Sequence, residues 1–275
     1  MKITIVGLGL IGASIAKALN GKAQITGIDM NSLPVQQALH DGVISQGGTD
    51  MVLAAGSDMA ILAVPVMSIV ETALGVIRHI DEGTVLTDTG STKAHIVQSI
   101  DKVWQSFVGS HPIAGKENPG YASSQANLFH STMTIITPSS ATRSDCIKKV
   151  QWLWESCGSL TSVMDPERHD QLMAVISHMP HLLSYVSMNM AGEINIDKKL
   201  LGAGFRDFTR IAASDPVMWR DIFLDNKDNI LPLIDWYMEE LTKVRCIIEQ
   251  GKGKELEDTL SAYVHIRKGL YGDSR

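Results

Sequence analysis

The sequence predicts an α/β fold: a Rossmann-like N-terminal domain with a mainly parallel sheet, followed by an all-α C-terminal domain. Three observations predict it. Short apolar runs alternate with helical patterns through the first half, a glycine-rich turn joins the first strand to the first helix, and strand-like sequence stops near residue 163. Strands alternating with helices of this length build parallel βαβ units. A chain of 275 residues is long enough for two cores. The expected domains are residues 1–163, binding a dinucleotide, and residues 164–275, helical and forming a subunit interface.

Taken in order, strand-like runs occur at Lys2–Val6, Gln24–Ile28, 59–64, 84–87, 106–108 and 132–137, with helix-like stretches at 11–19 and 66–77. The runs ITIVG and AILAV are apolar throughout rather than alternating, as strands covered on both faces are. Beyond residue 163, Asp165-Pro166-Glu167 reads as an N-cap with proline at the first helical position, opening a helical stretch to about Glu193. Ser214-Asp215-Pro216 repeats the signal. From residue 217 to 270 the pattern is helical almost without interruption, apart from Pro232, Gly251 and Gly253. A helical half with this much apolar surface predicts a homodimer formed through it.

Lys and Arg number 24 against 30 Asp and Glu, a formal net charge of −6. That balance disfavours nucleic acid and anionic membrane surfaces as partners, so a small anionic ligand needs a local cationic cluster. Cys146, Cys157 and Cys246 are odd in number and widely spaced, without a CxxC pair, and read as reduced thiols of a cytoplasmic protein. Strand-like sequence from Lys2 predicts no signal peptide, and the longest apolar run, 59–70, is interrupted by Pro65 and too short to span a bilayer.

Gly7-Leu8-Gly9-Leu10-Ile11-Gly12 is a GxGxxG sequence in the context the motif needs, directly after a strand and directly before a helix. Gly7 is expected to make the tight turn, Gly9 to let the backbone approach a pyrophosphate, and Gly12 to let helix and strand pack closely. The helix N-terminus then offers free N–H groups to the phosphates. Asp29 ends the second strand, where an acid accepts hydrogen bonds from the adenosine ribose. Between Met30 and Ile44 there is no Lys or Arg to hold a 2′-phosphate. The pattern therefore predicts NAD rather than NADP.

Further segments carry chemistry. Asp88-Thr89-Gly90-Ser91-Thr92-Lys93 follows a buried-type strand and places Ser91 at its carboxyl end, and GSHPIAGKE follows the next strand and places His111 at the same edge. Gly204-Phe205-Arg206-Asp207-Phe208-Thr209-Arg210 sets two arginines four apart, on one face if the segment is helical. Each has a duller alternative: a strand-end histidine bonded to backbone for His111, a solvated ion-pair face for Arg206 and Arg210, and core histidines for His178 and His181. His169, His178 and His181 lack the HExxH spacing, and no metal is predicted.

GLGLIG, the Ala63-Val64-Pro65 step, DTGSTK, GSHPIAGKE, SHMPH and GFRDFTR together resemble the prephenate/arogenate dehydrogenase family of tyrosine biosynthesis. The resemblance runs from Lys2 to about Ala262; HPIAG and FRDFTR are specific to the family, whereas the glycine motif is widely shared. Lys116 departs from the pattern, where a small polar residue is expected. The chain is expected to lack both the chorismate mutase domain fused in some members of that family and a C-terminal regulatory domain. The resemblance further implies hydride transfer from prephenate, or arogenate, to NAD with loss of carbon dioxide. His111 would then take the ring-hydroxyl proton and Ser91 would hydrogen-bond the histidine or that hydroxyl. Gly7, Leu8, Gly9, Leu10, Ile11, Gly12, Asp29, Val64 and Pro65 would surround the cofactor. Arg210 would hold a substrate carboxylate, with Arg206 beside it, and His178, His181, Glu117 and Trp219 would line the pocket. Two alternatives remain open: a β-hydroxyacid dehydrogenase, for which no catalytic-lysine motif is evident, and a non-enzymatic NAD-binding redox sensor, which would need only the glycine loop and Asp29.

Overall fold

The computed structural model describes residues 1–116, 118–194 and 196–272. One sheet holds the strands β1 (Lys2–Val6), β2 (Gln24–Ile28), β3 (Gln46–Gly48), β4 (Met59–Leu62), β5 (Val85–Asp88), β6 (Phe107–Pro112), β7 (Met133–Thr137) and β8 (Leu160–Val163). Their order is β3-β2-β1-β4-β5-β6-β7-β8. Pairing is parallel from β3 through β6, β7 runs antiparallel to β6, and β8 is parallel to β7. The helices α1 (Leu10–Ala18), α2 (Ser32–His40), α3 (Ile69–Ile77), α4 (Ala94–Ile100) and α5 (Ser144–Ser156) lie between strands in the chain.

The central strands are apolar on both faces because both are covered. Ile3, Ile5, Met59 and Ile61 join Ile15 and Trp154 in one core, and Val6, Ala60, Leu62, Ile69 and Phe107 form the other. Neighbouring residues on one strand thus enter opposite cores, as the two-residue period of a strand requires. Strand order reverses between β1 and β4, and ligands of doubly wound sheets bind outside the carboxyl ends of the strands at such a point.

The structure corrects several sequence expectations. β3 and β8 were absent from the predicted strands: β3 is three residues with two glycines, and β8 is an edge strand that is largely exposed. β6 runs on to Pro112, so His111 lies within the strand rather than after it. Its first half pairs with β5 and its second half with β7, where His111 is opposite Ile135.

The helical remainder opens as its caps foretell. Asp165 accepts the Arg168 amide at 3.0 Å and Pro166 begins α6 (Pro166–Met173); Asp215 accepts the Met218 amide at 2.8 Å and Pro216 begins α9 (Pro216–Asp225). Between them lie α7 (Met179–Ile194) and α8 (Ala203–Thr209). A π-turn, Ala174–His178, joins α6 to α7. Pro180 follows it, and the widened turn gives room to a ring that would clash with the preceding turn of an α-helix. The helix expected to run from 217 to 270 is three: α9, α10 (Lys227–Glu249) and α11 (Gly253–Tyr271). Gly251, at φ +64°, makes the second break.

By contact density the chain forms two compact units, Met1–Lys227 and Asp228–Arg275. Within the second, Tyr263 on α11 donates to Glu240 Oε2 on α10 at 3.0 Å. Among the described residues no helix is long and apolar enough to cross a membrane.

Candidate active site

The glycine turn has the geometry its spacing requires. Gly7 takes φ +93°, and a Cβ there would stand 2.3 Å from the Ala63 carbonyl oxygen. A Cβ on Gly12 would stand 1.9 Å from the Gly7 carbonyl oxygen, so strand and helix approach only because both are glycine. Gly9 differs: a Cβ would meet nothing within 4 Å, leaving open space over the turn. No side chain caps α1, and no acid sits in its first turn. Its first N–H groups are thus available to an anion. Leu8 is fully buried, Leu10 and Ile11 are half-buried, Val64 is half-buried against Gly7, and Pro65 is exposed. Asp29 Oδ2 accepts the Leu8 amide at 2.8 Å, and Oδ1 accepts the Asn31 amide at 2.9 Å. A close approach that Gly7 and Gly12 allow, open space at Gly9 and an uncapped helix end fit a bound pyrophosphate.

Across the carboxyl edge of the sheet lies a polar network that the sequence reading did not assemble. Fully buried Asp88 and Lys93 form an ion pair. The Lys93 ammonium also donates to the Ser110 carbonyl at 3.2 Å, and Asp88 Oδ1 accepts the Ser110 amide at 3.2 Å. The Ser110 hydroxyl donates to the Asp88 carbonyl at 2.6 Å and accepts the Trp154 indole N–H at 3.0 Å. These contacts clamp β5, β6 and the DTGSTK loop together. His111, next along β6, is half-buried, with Nδ1 at 2.9 Å from His169 Nε2 on α6. His169 Nδ1 in turn lies 2.8 Å from Asp170 Oδ1. Burial lowers the His111 pKa well below the usual imidazole value, and the neighbouring His169 and Lys93 lower it further. His111 is therefore neutral and able to accept a proton. Ser91 makes no hydrogen bond to His111, whose Nδ1 faces His169, and the substrate hydroxyl remains the partner expected for Ser91. Ser91 is half-buried in the loop.

The helical segments contribute an aromatic cluster. His181 stacks on Trp219, ring centroids 3.6 Å apart and planes 22° from parallel. Its Nδ1 donates to the Ser177 carbonyl at 2.9 Å, which leaves Nε2 as an acceptor. Burial lowers the His181 pKa, the Ser177 bond opposes that, and the Arg210 charge adds to it. Trp219 is 6% exposed, and its buried Nε1–H has no hydrogen-bond partner. His178 is interior, 1% exposed, and its Nδ1 accepts the Asn226 amide at 3.0 Å. Burial pushes its pKa down to about 4.

Arg206 lies in the last turn of α8, and Arg210 caps that helix with helical backbone angles, φ −54° and ψ −41°. α8 ends at Thr209, and Arg210 opens a tighter 3₁₀ turn, Arg210–Ala213. Both arginines are exposed, as is Lys116. Glu117 lies outside the described residues. Among the described residues no three His, Cys, Asp or Glu side chains are grouped to hold a metal ion. Asp88, Lys93, His169 and Asp170 were missed. The signal available was a charged pair inside DTGSTK and an adjacent His-Asp in the first turns of a capped helix, but nothing local ties one to the other.

A glycine-lined dinucleotide cradle at the reversal point of a doubly wound sheet, with a neutral histidine at the same sheet edge, defines a nicotinamide-dependent dehydrogenase with a helical second part. The family model for the prephenate dehydrogenase nucleotide-binding domain matches residues 14–163, and that for the prephenate dehydrogenase dimerization domain matches residues 165–262. The chain belongs to the prephenate dehydrogenase family. It is 35% identical to a Bacillus subtilis prephenate dehydrogenase, over 98% of this chain and 76% of that one. The structure of A. aeolicus prephenate dehydrogenase in complex with hydroxyphenyl propionate and NAD+ superposes with a TM-score of 0.90 at 34% identity, covering 98% of both chains. Synechocystis arogenate dehydrogenase superposes with a TM-score of 0.86 at 27% identity, covering 98% of this chain and all of that one.

Proposed function

We propose that this chain oxidatively decarboxylates prephenate to 4-hydroxyphenylpyruvate with NAD, the dehydrogenase step of L-tyrosine biosynthesis. The observation that carries the reading is His111, held neutral at the sheet edge that also carries the glycine cradle. Bound NAD supplies the hydride acceptor. Gly9 and the uncapped start of α1 take its pyrophosphate, Asp29 takes the adenosine ribose hydroxyls, and Leu8, Leu10, Ile11, Val64 and Pro65 enclose it. As the hydride leaves the hydroxyl-bearing ring carbon, His111 accepts the hydroxyl proton, and Ser91 orients that hydroxyl. The electron pair of the ring–carboxylate bond then enters the ring as carbon dioxide leaves. His111 returns its proton to the new phenolate oxygen, so the chain ends the cycle as it began.

Arg210 holds a substrate carboxylate, with Arg206 adding charge. The unpartnered Trp219 N–H supplies a further donor, and His181, stacked on Trp219, presents Nε2 to the pocket. His178 stands behind them, its ring edge-on to Trp219. We divide the chain into residues 1–163 for the cofactor and 164–275 for substrate and dimerisation. A homodimer through the helical part accords with exposed Trp236, Met238, Leu241, Leu260, Val264 and Ile266 on α10 and α11. A cytoplasmic setting accords with three free cysteines.

The test is to mix purified protein with prephenate and NAD and to follow NADH absorbance and 4-hydroxyphenylpyruvate together. One NADH per keto acid formed is expected, and a mixture that yields neither overturns the proposal.

A further inference from the structure

Two side chains, His169 and Asp170, stand in line behind the proposed base. Asp170 Oδ1 accepts the Lys93 amide at 2.8 Å, and Oδ2 accepts the Ala94 amide at 2.8 Å. Both oxygens are thereby fixed as acceptors, and the one facing His169 Nδ1 at 2.8 Å is an acceptor too. His169 therefore carries its proton on Nδ1, and its Nε2 is a lone pair. That lone pair faces His111 Nδ1 at 2.9 Å, so His111 is the donor across this contact. A neutral imidazole has one N–H. With Nδ1 protonated, His111 Nε2 is left as the lone pair.

We infer that His169, held by Asp170, is a positioning residue that fixes His111 in the tautomer whose Nε2 accepts the substrate proton. This rests on the proposed role of His111 as base. The chain of bonds has a second consequence for the reaction. When His111 takes the hydroxyl proton on Nε2, it becomes an imidazolium whose Nδ1–H still points at a lone pair, with the Asp170 carboxylate one ring beyond. The charge is thus met by an acceptor at the moment it forms, without any group having to turn. Protonation of His169 would reverse the arrangement. Its Nε2–H would donate to His111 Nδ1, the His111 proton would reside on Nε2, and the base would be lost.

The surroundings keep His169 neutral. Burial lowers its pKa, the Asp170 carboxylate raises it, the Lys93 ammonium lowers it and Asp88 raises it. Facing the pair are thus Asp170 from α6, Lys93 from the loop before α4, Asp88 from the end of β5 and His178 from the π-turn. The remaining anchor is Asn226 after α9, whose amide donates both to the Asp170 carbonyl at 2.9 Å and to His178. The relay is therefore tied to the same element that carries Trp219.

The experiment has a spectroscopic and a kinetic arm. Long-range proton–nitrogen NMR of the imidazoles in the substrate-free, full-length protein at pH 7.5, assigned with His111→Gln and His169→Gln, should show both rings protonated on Nδ1. A His111 protonated on Nε2 overturns the inference. In the kinetic arm, His169→Phe should lower kcat by roughly 10²-fold, with KM for prephenate within about threefold. His169→Gln returns an acceptor close to the place of Nε2 and should recover kcat to within about tenfold of the parent. If His169→Phe keeps kcat within about threefold, or if a normally melting His169→Gln is as slow as His169→Phe, the inference fails. Should His169→Phe not fold, the glutamine variant and the NMR assignment decide between the outcomes. Absence of prephenate oxidation in the parent protein would defeat the proposed function, whereas the tautomer is read without substrate.

Discussion

Asp29 and Leu8, 21 residues apart, are joined by a 2.8 Å hydrogen bond from the Leu8 amide to Asp29 Oδ2. The carboxylate at the end of β2 therefore holds the glycine turn after β1, in addition to the ribose contact proposed for it. Because β1 and β2 are neighbours in register, Val6 opposite Ile28, the bond forms without reaching. Replacing Asp29 with Ala should raise KM for NAD and shrink the preference for NAD over NADP. About 1–3 kcal/mol of discrimination is expected for one lost charge-bearing contact. Steady-state kcat/KM with each cofactor checks it, and equal values for both in the parent protein would refute the NAD assignment.

Gly9 and Gly12 should separate ligand binding from folding. Gly12→Ala puts a methyl group against the Gly7 carbonyl and should lower the melting temperature sharply. Gly9 has open space and an extended backbone, φ −71° and ψ −160°, which alanine adopts without strain. Gly9→Ala should melt like the parent and yet bind NAD at least tenfold more weakly, since its methyl group enters the proposed pyrophosphate site. Calorimetric titration with NAD beside thermal melts of both variants is the measurement. Unchanged NAD affinity in Gly9→Ala would remove the cofactor from this turn.

His111→Ala should lower kcat by roughly 10²–10⁴, the usual worth of a general base, while KM for prephenate changes little. Burial, with His169 and Lys93 behind it, depresses the His111 pKa below 6.5. Activity requires the unprotonated ring, so it is lost as pH falls. The acid limb of the kcat/KM profile, which reports the free enzyme, should therefore lie below pH 6.5 rather than at it. A limb at or above 6.5, or near-normal kcat in His111→Ala, would show that another group is the base.

His178 makes stability depend on pH. Its folded pKa is about 4 against 6.5 for the free side chain, so the unfolded chain binds a proton that the folded chain refuses. Stability from this group is full above pH 6.5 and is lost as pH falls toward 4, by about 3 kcal/mol over the whole interval. Urea unfolding at pH 7.5, 5.5 and 4.5 should show this loss, and His178→Gln should flatten the slope even if its absolute stability is lower. An unchanged slope would place the acid sensitivity elsewhere.

Prephenate should be preferred to arogenate. Arogenate carries an ammonium where prephenate has a keto group, and the proposed pocket offers the cations Arg206 and Arg210 and the Trp219 N–H donor. His181 Nε2 is a neutral acceptor beside them. An ammonium facing donors loses hydration without gaining a partner, a mismatch polar sites reject strongly. Measuring kcat/KM for both substrates with NAD near pH 7.5 tests this. A tenfold preference for arogenate would mean that the charge balance of the pocket has been misjudged.

The amino-acid sequence by itself determined the parts of this protein whose cause is local. The β1–turn–α1–β2 unit, Asp29 and the helix starts at Pro166 and Pro216 were all legible, because a strand's apolar run, a glycine that must adopt positive φ and a capping aspartate act within a few residues of themselves. β3 escaped because two of its three residues are glycine, and β8 because a largely exposed edge strand carries a weak apolar pattern. The extension of β6 through His111 depended on β7 arriving antiparallel beside it. Tertiary structure alone decided what stands behind the proposed base. His111 and His169 are 58 residues apart, and the Lys93 amide and Asp170 are 77 apart. Those side chains meet only after β5 and β6 pair and α6 packs against α4. The choice of tautomer, and with it the nitrogen offered to substrate, is set by the direction of hydrogen bonds along that assembled line.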